Sequence, residues 1–238
     1  MYNMNIENIL EEWKTFVSTK MIPIVKRSEL KLEGNLYSYH MTTDYCEMFL
    51  EKQKNIIISS TQPGVKNILE IGFNSGFSVL LMLIANPEAR VVCVDNNIWD
   101  YMLPCYNFMK EQFGDRLHMH IGNSVNVLPT IQEKFDMIHM DGSHVISVLE
   151  RDIVNCMMLT KKRTILIMDD TDYGPIDNLW KTYIESYKLK DCDFEIFNAT
   201  QHSIKIYEQS VQSAELSAVS LPADAVPSPA LPSITVAK

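Results

Sequence analysis

The feature that most restricts this chain is a fivefold alternation of short apolar runs and longer helical patterns between residues 66 and 187. The runs are Asn67–Ile71, Arg90–Asp95, Arg116–Ile121, Phe135–Asp141 and Thr164–Asp169. Helical patterns follow them over Phe77–Ala85, Tyr101–Phe113, Ser124–Glu133, Val145–Leu159 and roughly Pro175–Tyr187. Apolar strands alternating with helices predict a parallel sheet covered on both faces, joined by right-handed crossovers. Two last runs, Asp193–Phe197 and Ser203–Tyr207, are separated by the short polar stretch Asn198–His202 and read as an antiparallel hairpin. The expected fold is α/β: a doubly wound, Rossmann-like sheet of seven strands, mostly parallel, closed by an antiparallel C-terminal hairpin.

Residues 1–60 precede the first strand and are expected to form a helical cap on the 66–208 core. Ile6, Ile9, Leu10, Trp13, Phe16 and Val17 make an amphipathic stripe over Met4–Lys20, which Pro23 should end. Lys26–Tyr39 reads as a loop, and Thr43–Ser60 as a second helix with Cys46, Phe49 and Leu50 on one side. Residues 209–238 are rich in Ala, Ser, Pro and Val and show no period, so a disordered tail is expected there.

Composition excludes several classes of function. The 238 residues suffice for one domain, and 46% hydrophobic with 21% charged residues is the balance of a globular protein. A formal charge of −9 disfavours nucleic acid and anionic membranes as partners, since both need a basic face. The 5 cysteines are scattered with no C-x-x-C pair, which suggests free thiols in a reducing compartment. With no membrane-length apolar run, the expected location is the cytoplasm.

In a doubly wound sheet, ligands bind at the carboxyl ends of the strands. The first of these ends is the turn in KNILEIGFNSG. Gly72 permits a sharp turn close to a ligand, and Gly76 opens a helix whose free N–H groups favour an anion. A dinucleotide fingerprint would need glycine at positions 70, 72 and 75, but Glu70 and Ser75 stand there. The pattern is E-x-G-x-x-x-G, with Asn74 and Ser75 inside the turn. Asp95-Asn96 ends the second strand, where a carboxylate can take both hydroxyls of a ribose. Ile98 and Trp99 follow and are candidates to cover an adenine. Gly122-Asn123-Ser124 ends the third strand.

The fourth strand runs into Asp141-Gly142-Ser143-His144, and the fifth into Asp169-Asp170. Three carboxylates from neighbouring strand ends repel one another unless something positive lies between them. An oxygen-seeking divalent cation, Mg²⁺ first and Mn²⁺ as its substitute, meets that need. His144 then stands at the mouth of a helix, where the dipole should keep it neutral and able to accept a proton.

E-x-G-x-x-x-G, D-G-S-H and D-D together resemble the class I S-adenosylmethionine (SAM) methyltransferases, over roughly Gly34–Tyr207. Within them they resemble the metal-dependent O-methyltransferases that act on sugar hydroxyls, such as macrolide-sugar and rhamnosyl methyltransferases. The resemblance implies SAM contacts at Glu70, Gly72, Asn74, Ser75, Gly76, Asp95, Asn96, Asn123, Ser124 and Asp141. It implies metal ligation by Asp141, Asp169 and Asp170, with His144 as general base and Asp141 also in the catalytic set. Asn123 departs from the pattern, since an acid often stands there. In related catechol-type enzymes a lysine holds the histidine's place. The expected partner is a small-molecule or glycan sugar acceptor, in a setting that allows a homo-oligomer and glycosyltransferase neighbours. A catechol-type acceptor and a non-catalytic SAM-binding module stay open. Tyr37, Tyr39, Trp180, Asp172 and Tyr173 are candidates for the acceptor pocket, and Met41, Thr42 and Thr43 for cofactor contact. His40 and His202 are expected at the surface.

Overall fold

The computed structural model describes residues 5–28 and 32–209, so the stretch from 210 to 238 lies outside the described residues. The strands are β1 (Asn67–Ile71), β2 (Arg90–Asp95), β3 (Leu117–Ile121), β4 (Phe135–Met140), β5 (Thr160–Asp169) and β6 (His202–Glu208). They form one six-stranded sheet in the order β3-β2-β1-β4-β5-β6. All pairs are parallel except β5 with β6. Crossing from β1 back to β4 reverses the strand order between them, and a ligand crevice opens at that point.

The seventh expected strand is absent among the described residues. Asp193–Phe197 does not join the sheet, and the backbone groups at its end, those of Phe197, find other partners. Phe197 N donates to Asn55 Oδ1 at 2.7 Å, and Asn55 Nδ2 donates to the Phe197 carbonyl at 2.9 Å. The hairpin is reduced to one bridge, Lys190 with Ile206.

Alternate residues of each strand serve two cores. Ile68, Val91, Cys93, Met137, Ile165 and Ile167 pack on the face covered by the N-terminal helices, α4 (Phe77–Ala85) and α5 (Met102–Phe113). Leu69, Val92, Ile138, Leu166 and Met168 pack on the other, against α7 (Ile146–Met158) and α8 (Gly174–Tyr187). The segment expected as one helix over Ser124–Glu133 is shorter: α6 covers Ser124–Val127 and tightens to 3₁₀ geometry over Leu128–Thr130, where Pro129 enters.

The cap departs from expectation at both helices. α1 (Ile6–Phe16) does not stop before Pro23 but continues through a π-turn, Val17–Met21, into α2 (Ile22–Val25). Widening the helix just before a proline relieves the clash of its ring with the preceding turn. The Trp13 indole N–H donates to the Phe77 carbonyl at 2.8 Å and ties α1 to α4. The second helix is shorter than Thr43–Ser60: a 3₁₀ turn covers Glu47–Phe49, and α3 runs over Leu50–Ser60. Its buried face is not Cys46, Phe49 and Leu50 but Lys52, Asn55, Ile56 and Ser59, at helical spacing. No helix among the described residues is long and apolar enough to cross a membrane.

Candidate active site

Two adjoining cavities open at the carboxyl ends of β1, β4 and β5. The larger, about 680 Å³, is lined by Gly72–Ser75, Ser38, Tyr39, His40, Lys52, Asp141, His144, Asp169 and Asp170. The smaller, about 280 Å³, is lined by Asp95, Asn96, Ile98, Trp99, Asn123, Ser124 and Val148. Gly72, Asn74, Ile98, Trp99, Asp141 and Gly142 belong to both.

Gly72 sits where the two halves meet. Its φ is +90°, and a Cβ there would lie 1.9 Å from the Asp141 carbonyl oxygen. Only glycine fits, on grounds of both conformation and space. Around it the loop is held by side chains. Asp95 Oδ2 accepts the N–H groups of Phe73 (2.8 Å) and Asn74 (3.0 Å), and its Oδ1 accepts that of Asn97 (2.7 Å). Asn74 Nδ2 in turn donates to the carbonyls of Glu33 (2.6 Å) and Gly34 (2.8 Å), tying the cap loop to the turn. Asp95 thus reaches the smaller cavity as the brace of the glycine turn. Asn96 is exposed at its rim.

Ser75 is buried in the turn with no partner for its hydroxyl, and Gly76 caps α4 with φ +78°. Asn123 is committed to its own helix, its Oδ1 accepting the Val125 N–H at 3.0 Å. Of the expected cofactor residues, Glu70 and Gly76 are outside both linings. Glu70 is fully buried beneath the turn, where Oε1 accepts the Ser78 hydroxyl proton and Oε2 meets His139 Nδ1 at 2.8 Å. As the penultimate residue of β1, Glu70 points into the core on the α4 side, so it lines neither cavity although its carboxylate, His139 and Asp141 lie within 4.8 Å of one another.

At the other end, carboxylate oxygens of Asp141, Asp169 and Asp170 lie within 4.8 Å of one another. Lys52, from α3, reaches into the cluster and pairs with Asp169 Oδ2, both side chains being almost wholly buried. Burial opposes charge on Lys52, but the Asp169 and Asp141 carboxylates outweigh it and raise its pKa. Burial likewise opposes charge on Asp169, yet the Lys52 ammonium, with His139, holds its pKa below the usual carboxylate range. Asp141 goes the other way: burial and then repulsion from Asp169 push it well above that range. Asp169 Oδ1 has no hydrogen-bond partner among the described residues. One ammonium against three acids leaves the cluster short of positive charge. An all-oxygen donor set with a free buried lone pair fits Mg²⁺ or Mn²⁺.

His144 Nε2 lies 2.7 Å from Asp170 Oδ2. That hydrogen bond raises the imidazole pKa and outweighs the opposing effect of burial. The helix-dipole expectation of a lowered pKa therefore fails, because the carboxylate is in contact and the dipole acts only over the first turn. Asp170 adopts φ +55°, a left-handed conformation, which delivers its side chain to His144 while Asp169 faces Lys52.

Of the other candidates only Tyr39 and His40 line the larger cavity, both exposed. Tyr37 packs edge-on against Trp13 and Phe77, and Trp180 is on the buried face of α8. Asp172, Tyr173, Met41, Thr42 and Thr43 are outside both linings. His202 is buried rather than superficial: its Nε2 meets Asn55 Nδ2 at 2.9 Å, and burial lowers its pKa to about 3. Lys52 is the functional candidate that sequence reading missed. Its signal was the spacing of Lys52, Asn55 and Ser59, a polar stripe along one helix face.

Residues 69–171 match the family model described as a methyltransferase domain. Among curated proteins none matches. Solved structures with the same fold include the O-methyltransferase TomG from Streptomyces achromogenes in complex with SAM. It is 13% identical, with 80% of this chain and 87% of that one covered at a TM-score of 0.55. A methyltransferase from Podospora anserina bound to S-adenosylhomocysteine (SAH) is 15% identical, with 88% and 98% covered and a TM-score of 0.58. An O-methyltransferase from Bacillus cereus in complex with SAH is 14% identical, with 80% and 88% covered and a TM-score of 0.54. The match to a methyltransferase domain thus lies over residues 69–171, and the fold is the one that these SAM- and SAH-bound enzymes share.

Proposed function

We propose that this chain is a SAM-dependent, divalent-metal-assisted O-methyltransferase whose acceptor is a hydroxyl of a sugar, such as a deoxysugar in a glycan or glycoside. The observation that carries the reading is the Asp141–Asp169–Asp170 cluster facing His144, in the same cavity as the braced glycine turn.

SAM supplies an already activated sulfonium methyl. What remains is to produce an oxygen nucleophile and aim it. The glycine turn and Asn96, Asn123 and Ser124 line the space for the adenosyl part, and Asp95 keeps that turn rigid. Asp141, Asp169 through its free Oδ1, and Asp170 would hold Mg²⁺, which supplies Lewis acidity toward the acceptor hydroxyl. His144 is the base. With Nε2–H donated to Asp170, Nδ1 keeps the lone pair that takes the hydroxyl proton, and Asp170 stabilises the imidazolium that results. The acceptor oxygen then bonds to the methyl carbon, the C–S bond breaks, and its electron pair stays on sulfur as SAH. Lys52, held charged, balances the acids and is a poor base.

A phenol acceptor of catechol type is the second reading, and Lys52 beside the carboxylates favours it. Methyl transfer from SAM, compared over rhamnose-type glycosides and catechols, separates the two. Preference for the glycosides is expected, and transfer to catechols alone would overturn the sugar assignment.

A further inference from the structure

Behind the smaller cavity stands a buried acid that the mechanism does not use. Asp152, in the middle of α7, is 1% exposed. Its Oδ2 accepts the Ser124 hydroxyl proton at 2.8 Å, and its Oδ1 has no partner. A carboxylate in such a place costs stability, since burial raises its pKa to about 6. Ser124 is the first residue of α6 and lines the smaller cavity beside Asn123, whose amide oxygen is already spent on capping.

A hydroxyl has one proton and two acceptor lone pairs. A free serine therefore accepts from an amine or donates to a carbonyl with equal ease. Once its proton is committed to a carboxylate, Ser124 can face the cavity only as an acceptor. We propose that Asp152 is a positioning residue that fixes Ser124 as an acceptor for the exocyclic amine of the cofactor's adenine. The pair thereby selects an adenine over a purine with a carbonyl at that place. Ser124 makes the contact and Asp152 acts through it. The inference rests on the reading that the adenosyl group of SAM occupies this cavity.

The test is calorimetric binding of SAH and of S-inosylhomocysteine, in which a carbonyl replaces the amine, to the full chain. The wild type should favour SAH by about tenfold or more, the scale of one hydrogen bond kept against an acceptor facing an acceptor. Ser124→Ala and Asp152→Ala should each bring the ratio close to unity, and the double variant should lose nothing further, the signature of two residues acting as one unit. Asp152→Asn keeps the shape and an accepting oxygen, so it should retain the wild-type preference. A general loosening of the fold would weaken both ligands alike and leave the ratio unmoved. An unchanged ratio in Asp152→Ala, or in Ser124→Ala, overturns the proposal. The double variant leaves no buried carboxylate behind, so its ratio decides the matter even if a single variant fails to fold. Binding of SAH with unmoved ratios would defeat this inference alone, whereas binding of neither ligand would defeat the cofactor reading as well.

Discussion

The two ends of the cleft treat their acids in opposite ways. At the β1–β2 end, Asp95 accepts three backbone N–H groups and Asn123 caps a helix, so the acid that braces the turn is satisfied by the chain itself, and the strained acid, Asp152, stands behind the cavity rather than in its lining. At the β4–β5 end, three carboxylates crowd together, Asp169 leaves one oxygen without a partner, and Asp141 is driven toward its neutral form. Folding alone has no use for the second arrangement, because buried acids without counter-charge are destabilising. Strain of this kind concentrates where a ligand completes the structure. Under the proposed function, the braced end holds the cofactor and the crowded end carries the chemistry.

The largest way to break that contrast is at His144. His144→Ala should cut turnover by about 10²–10⁴-fold, the usual contribution of a general base, while SAH affinity stays within about threefold. Steady-state kinetics paired with calorimetry reads both, and unchanged turnover would remove the base from the account.

Lys52 sharpens the contrast in stability. Lys52→Met strands Asp169 as a buried unpaired charge and should cost about 3–5 kcal/mol in denaturant unfolding. Mg²⁺ should then raise the melting temperature of the variant more than that of the wild type, since the ion replaces the missing charge. An equal response of both proteins would mean that Lys52 and the cation site are independent.

The smallest effect lies at the cofactor end. The folded-state pKa of Asp152 is raised to about 6, above that of a free aspartate. Stability from this group is therefore full below the unfolded pKa and is lost as pH rises through about 6. Asp152→Asn escapes that loss, so its stability relative to the wild type should grow by about 1–3 kcal/mol between pH 4 and pH 8. Urea titrations over that range check it; a flat difference would mean the carboxylate is not strained.

How much of this could be read from the sequence differs along the chain. β1, β2 and α4 match their expected bounds to the residue, because Gly72, Gly76 and the Asn86-Pro87 stop punctuate long apolar runs. Asp141, His144, Asp169 and Asp170 converge as expected, since strand ends in a parallel sheet share one edge. Where tertiary contacts decide, the reading stops. Asp193–Phe197 has strand composition, yet Asn55, distant in sequence, takes its backbone groups. Lys52 meets Asp169 across 117 positions, and the polar stripe that Lys52, Asn55 and Ser59 make reads equally well as a solvated helix face. Glu70 and Asp95 lie at the expected strand ends, but pleat and turn geometry aim one into the core and the other at the glycine turn.

On the proposed function, the β4–β5 end works through a divalent cation and the β1–β3 end does not. Methyl transfer to a vicinal-diol glycoside and SAH binding, both measured in EDTA and again with Mg²⁺ restored, test it together. The account predicts that transfer is lost in EDTA and recovered with Mg²⁺ while SAH affinity stays constant; full transfer in EDTA would contradict it.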